Sequence, residues 1–235
     1  MPSYRLALWV YAALGLAVFL TFARLSPAIE PVPHTAVSKR RFGLHRSRGL
    51  VTRFALLLAC NSFSANFVAQ AFVALYFVTR FGAGAATLGV MFFLTNLTGA
   101  LSYPIAARIA DRIGLINTMV LTHLPSNLLL LLVPVMPTLQ LAAAVLVARH
   151  ALSQMDRPAR DAYTMAVVAP DERTAAAGYV SVATDLAGAG ALAIAGVLAQ
   201  TVALSLLFVV AGVGRLGYDA ALYFGFCHIQ PPEEQ

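Results

Sequence analysis

An all-α, polytopic transmembrane helix bundle of about seven spans is the fold class this sequence predicts, from its charge map, its composition and its long apolar runs. Sixteen Lys and Arg and ten Asp and Glu are gathered into short islands. Between them, residues 6–23, 54–79, 81–107 and 113–148 carry no Lys, Arg, Asp or Glu. Roughly 20 mostly apolar residues, at a rise of 1.5 Å each, cross the hydrocarbon of a bilayer. Apolar residues make up 60% of the chain and charged residues 11%, whereas soluble domains hold about 45–50% and about 25%. The solvent of such a chain is lipid.

Residues 1–23 hold the first span. The basic stretch after it argues for a retained helix rather than a cleaved signal peptide. Residues 24–51 read as a cytoplasmic linker, because Pro27, Pro31 and Pro33 break helices and Lys39, Arg40, Arg41, Arg46 and Arg48 cannot enter hydrocarbon. A six-helix bundle follows over 52–227, with spans near 52–79, 86–107, 115–133, 138–156, 176–199 and 203–227. As one helix, the uncharged run 113–148 would measure roughly 54 Å, nearly twice a hydrocarbon core of about 30 Å. It must fold back, and Pro134 and Pro137 mark the turn. Turn chemistry is weakest near Gln200 and Thr201, where a single span over 186–214 is the competing reading. Residues 228–235 form a cytoplasmic tail. Cys60 and Cys227 lie in apolar stretches with no second ligand at metal spacing, so they read as small core residues.

Lys and Arg on alternating sides of these spans set an orientation. Seven belong to the linker and its edges, two to the 108–114 loop (Arg108, Arg112) and three to the 156–175 loop (Arg157, Arg160, Arg173), against Arg5 and Arg80 opposite. Cytoplasmic loops carry the basic excess, so the N-terminus is expected outside and the C-terminus inside. The net charge of +6 is explained by this topology, and no nucleic-acid partner is expected.

Asp111, Arg112 and Gly114 follow Ile109 and Ala110 after the third span. They match the core of the Gly-x-Leu-Ala-Asp-Arg-x-Gly-Arg-Lys loop motif, with Ala107 in place of its first Gly and Leu115 and Ile116 in place of its trailing basic pair. That motif marks the major facilitator superfamily, and the chain resembles the C-terminal half of such a carrier: the last helix of the first half, the cytoplasmic linker and the six helices of the second. Residues 153–160, Ser-Gln-Met-Asp-Arg-Pro-Ala-Arg, and 170–178, Pro-Asp-Glu-Arg-Thr-Ala-Ala-Ala-Gly, are similar to the stretch joining helices ten and eleven in a group of bacterial members. The resemblance implies a secondary transporter of the bacterial inner membrane, working by alternating access around a midplane site. Asp111, Arg112 and Gly114, with Asp156, Arg157, Arg160, Asp161 and Arg173, would then form a cytoplasmic gate of charges that pair in one conformation and part in another.

Polar side chains inside the spans are the candidates for solute contact, because a lipid-facing amide is costly. Ser62, Asn66 and Gln70 recur every four residues and so form one expected stripe, facing either a cavity or a neighbouring helix. Asn61 and Asn96 are further candidates. Arg149, Asp185, Arg215 and Asp219 are the charges expected within or near the membrane. Arg215 and Asp219, four apart, are expected to neutralise one another, and Asp185 to be solvated or paired with a loop, with ion coupling as its alternative. His150 is expected to be packed or bonded locally. In the sixth of the seven spans, Ala187, Gly188, Ala189, Gly190 and Gly196 are small enough for close helix approach.

The expected function is transport of a small solute, with the bilayer as surroundings and no cofactor. A scarcely charged interior disfavours a multiply charged solute. Because the pattern matches one complete half, the chain is expected to be a fragment, a domain of a larger carrier, or a half that pairs with an N-terminal half or another copy. A non-transporting remnant or scaffold is the alternative. A membrane enzyme is not expected, since no His-x-x-Glu-His or comparable motif is present.

Overall fold

A computed structural model describes residues 2–24, 43–201 and 203–226. Pro27, Pro31, Pro33, Lys39, Arg40, Arg41, Cys227 and the 228–235 tail lie outside the described residues. Among those described there are nine α-helices and no strand: an all-α membrane helix bundle.

Helix α1 (Pro2–Ala23) belongs to a unit of its own, and its side chains from Leu8 onward are exposed on every face. The second unit holds α2 (Arg48–Asn66), α3 (Gln70–Phe81), α4 (Ala85–Ile113), α5 (Leu115–Leu132), α6 (Leu139–Ser153), α7 (Asp156–Ala166), α8 (Arg173–Thr201) and α9 (Ser205–Phe226). Five stretches are long and apolar enough to cross a membrane: Arg48–Phe81, Ala85–Ile113, Leu115–Val135, Pro170–Thr201 and Ser205–Phe226. Helix α6 stands at the expected fifth span but has 15 residues, about 22 Å of helix.

Boundaries follow local chemistry. The backbone turns between α5 and α6 where Pro134 sits in a short 3-10 turn and Thr138 caps α6 by accepting the Leu141 N–H. Between α4 and α5 a single residue intervenes, and Gly114 adopts φ +85 there, a left-handed geometry that favours glycine. The Asp-Arg pair therefore sits on the last turn of α4, not in a loop. Helix α8 ends at Thr201 and α9 starts at Ser205, so the single span over 186–214 is not formed. Two further boundaries differ from expectation. Helix α2 begins at Arg48, inside the predicted linker, and the predicted 156–175 loop is instead α7 followed by a 3-10 turn over Pro170–Glu172.

The predicted span 52–79 is broken at Phe67–Ala69. Asn66 donates its side-chain amide to the Ser62 carbonyl at 2.8 Å, a local bond that competes with the helical ladder. Phe67, Val68 and Ala69 then donate three residues back, and Ala69 turns extended at ψ 151 before α3 begins.

Helix α2 packs against α8 and α9, α9 against α5, α5 against α6, and α6 against α4, with α7 lying against α5 and α4. Phe77, Leu130, Val133, Ala195 and Leu207 share the larger apolar core, while Phe54, Tyr163, Tyr218 and Phe226 build a second one with tilted ring contacts. Outward faces are apolar and exposed, as Leu56, Val182 and Phe224 are, which suits lipid. Cys60 is exposed too and is not the core residue expected.

Of the small residues on α8, Gly188 sets the close approach. A Cβ there would lie 2.7 Å from the Asn66 amide nitrogen and 3.2 Å from the Ser62 hydroxyl, whereas Gly190 and Gly196 face open space. Ala191 and Ala195 continue the buried line, and the Ser62 hydroxyl donates across the contact to the Thr184 carbonyl at 2.8 Å. Gly188→Leu should lower the stability of the detergent-solubilised chain by about 1–3 kcal/mol through overpacking, measured by thermal unfolding. Gly190→Ala, with room for its methyl, should change it by about 0.5 kcal/mol or less.

Candidate functional site

Two pairs of polar residues, each four apart, meet inside the bundle. Helix α5 presents His123 and Asn127, and α9 presents Arg215 and Asp219, all buried. Arg215 Nη2 donates to His123 Nε2 at 2.5 Å, and His123 Nδ1 lies 2.5 Å from Asp219 Oδ1. A guanidinium can only donate, so Nε2 accepts and the ring proton sits on Nδ1, donated to the carboxylate. Asn127 donates its amide to Asp219 Oδ2 at 2.8 Å, and Arg215 Nε donates to Asn61 Oδ1 of α2 at 3.2 Å. Three helices are thereby joined through one chain of charged and amide groups. Arg215 and Asp219 do not pair directly as expected, because His123 stands between them.

Beside this chain opens a cavity of about 670 Å3, bounded by α2, α6, α7, α8 and α9. Arg149 and Arg215 line its inner part, Ser62, Asn66 and Thr184 one wall, and Asp156, Arg157, Arg160 and Asp161 the wall made by α7. Arg160 contacts Asp156 at 3.6 Å and Asp161 at 3.8 Å. Burial pushes the Asp156 carboxyl up, and Arg160 opposes that shift. His150 lines the cavity and lies 3.2 Å from the Gln154 amide, a local bond as expected.

The cavity thus gathers Asn61, Ser62, Asn66, Arg149, His150, Asp156, Arg157, Arg160, Asp161, Asp185 and Arg215 from the residues singled out in the sequence. It leaves out Gln70, Asn96, Asp219, Asp111, Arg112, Gly114 and Arg173. Gln70 opens α3 beyond the break and is exposed, so the four-residue stripe ends at Asn66. Asn96 is exposed on α4 and donates to the Phe92 carbonyl of its own helix at 2.7 Å. Asp219 sits behind His123, outside the lining. Asp185 is exposed at the cavity and accepts from Ser181 Oγ at 3.4 Å. Asp111 and Arg112 are exposed and form no ion pair among the described residues, and Arg173 is exposed as well.

In the segment 170–178 the engaged residue is Glu172, fully buried, rather than Arg173. Its carboxylate accepts the backbone N–H groups of His45, Arg46 (2.7 Å) and Ser47 (2.9 Å) just ahead of α2. These donors precede α2, so the carboxylate pins the approach to that helix and sets a negative charge near the positive end of its dipole. His123, Asn127 and Glu172 were the residues that sequence reasoning passed over. Applied to residues 115–133, the four-residue rule would have found the first two.

No protein-family profile matches the chain. It is 24% identical over 164 residues to the uncharacterized membrane protein YJR124C of Saccharomyces cerevisiae, a match covering 69% of this chain and 37% of that protein. The chain therefore aligns with little more than a third of that relative's length. With the apolar spans, this likeness supports a membrane protein.

Removing Asp219 alone strands the His123 Nδ1–H and the Asn127 amide without an acceptor. Asp219→Leu should cost about 3–5 kcal/mol, as breaking a buried charged contact does. Adding Arg215→Met should recover part of the loss, with a coupling of about 0.5–3 kcal/mol, both read from thermal unfolding in detergent.

Proposed function

We propose that this bundle moves a small solute as part of a secondary transporter resembling the major facilitator superfamily. The supporting observation is the cavity of about 670 Å3, which brings Ser62, Asn66, Arg149 and Arg215 to one space within an otherwise apolar bundle. Pockets of about 300–1,000 Å3 suit small molecules, and polar groups at membrane depth are retained where they line a path or pair with one another. Alternating access would expose the cavity to each side in turn, with the charges of α7 at the cytoplasmic mouth. In this reading the membrane is a bacterial inner membrane, the N-terminus lies outside and the basic segments lie in the cytoplasm.

Cysteine labelling tests the path. In a background with Cys60 and Cys227 replaced, Asn66→Cys and Thr184→Cys should react with a membrane-impermeant thiol reagent in open membrane fragments. Leu186→Cys, exposed on the opposite side of the cavity wall, should react slowly in hydrocarbon. Equal protection of all three sites would mean a closed, non-transporting scaffold.

Orientation has its own check. A reporter fused after Gln235 should be active in the cytoplasm, and activity confined to the outer side would reverse the proposed topology.

A further inference from the structure

Among the described residues, Arg149 is a buried cation that forms no ion pair. Arg149, on α6, is 8% exposed and lines the cavity. Its Nε has no hydrogen-bond partner, and no carboxylate forms an ion pair with its guanidinium among the described residues. Its backbone is held in place, since Ser126 of α5 donates to the Arg149 carbonyl at 3.0 Å. Of the other charges around the cavity, Arg157 is exposed on α7 without an ion pair among the described residues, and the rest are accounted for. Arg215 is bonded to Asn61 and His123, and Asp156 and Asp161 are held by Arg160. Asp185 is exposed and bonded to Ser181.

An ion taken out of water without a partner is strongly disfavoured. A fixed guanidinium with free N–H groups meets a planar oxyanion through two parallel hydrogen bonds, an arrangement Arg makes better than Lys. We propose that the cavity binds the oxyanion group of a free, singly charged solute, a carboxylate or phosphate diester, on Arg149. Ser62, Asn66 and Thr184 on the facing wall are placed to meet the rest of the molecule. One buried cation without an ion pair matches one acid group, so the buried part of the cavity selects a monoanion and opposes a dianion. This assignment deepens the transport reading and rests on it.

The test uses the full chain in phosphatidylcholine nanodiscs, with thermal unfolding followed by circular dichroism. Sodium benzoate and sodium dimethyl phosphate are the probes, against sodium chloride at equal ionic strength and against uncharged benzamide. A saturable rise in melting temperature is expected with benzoate or dimethyl phosphate and absent with chloride and benzamide. Arg149→Gln should abolish the rise, and Arg149→Lys should weaken it. Without any probe, Arg149→Met should melt higher than the parent chain, because it removes an uncompensated charge. The proposal is overturned by three results: an equal rise in Arg149→Gln, no rise in the parent chain, or a lower melting point in Arg149→Met that Asp156→Asn restores. The last would make Arg149 a structural partner of Asp156. Discs doped with phosphatidylglycerol identify the source of the anion. Stabilisation by that lipid alone would put a headgroup on Arg149 and overturn the free-solute assignment. Labelling at Asn66→Cys reports the aqueous cavity whatever its charge. Labelling without an anion effect overturns the solute class alone, and protection of that cysteine overturns the transport reading.

Discussion

The bundle depends on keeping Arg215, His123 and Asp219 satisfied where water is scarce. A lone charge at that depth is costly, yet a chain of donor, relay and acceptor leaves each group bonded, with its ends held by amides from α2 and α5. Geometry then follows. Asn61 holds Arg215 from α2, Asn127 holds Asp219 from α5, and α9 carries both charges between them. Helices in lipid gain little from hiding apolar surface from one another, so such polar links and close packing supply much of their specificity. The apolar clusters on either side have this polar layer between the helices that build them.

A second polar anchor works at the end of the helices instead of their middle. Glu172 lies just ahead of α8 and receives the backbone N–H groups just ahead of α2. The two helix starts are thus fastened by one carboxylate, and the same two helices meet again at Gly188, where the absence of a side chain lets Asn66 and Ser62 come close. The wall of the cavity is therefore tied at its end and pressed together along its length. The α7 wall is held differently, by ion pairs on its own surface between Arg160 and its two aspartates.

The helical fold and most span boundaries were legible because they follow from local signals. Charge islands, the Pro134 turn and Gly114 each act within a few residues. The break after Asn66 was not legible in the same way, because no proline or glycine marks it, and the Asn66 bond to its own helix is one that Asn96 also makes within the unbroken α4. The site was partly legible. Arg149, Arg215, Ser62 and Asn66 stood out as polar residues in apolar runs, but which of them meet depends on which helices are neighbours. A four-residue spacing suggested that Arg215 and Asp219 pair, and His123 from another helix took both partners. Likewise the interior carries more charge than the uncharged runs implied, since Arg149 and Arg215 lie at the edges of those runs while Asp156 is drawn in by α7.

The broken α2–α3 segment has a mechanical consequence for the surrounding lipid. Its 34 residues would reach about 51 Å as a straight rod, well beyond a hydrocarbon core of about 30 Å. An unbroken helix of that length would have to tilt steeply or thicken the bilayer around it. A joint at Phe67–Ala69 lets the two pieces take separate inclinations. At 19 and 12 residues, neither piece alone exceeds the hydrocarbon thickness, and Asn61 ties the longer one to the polar layer.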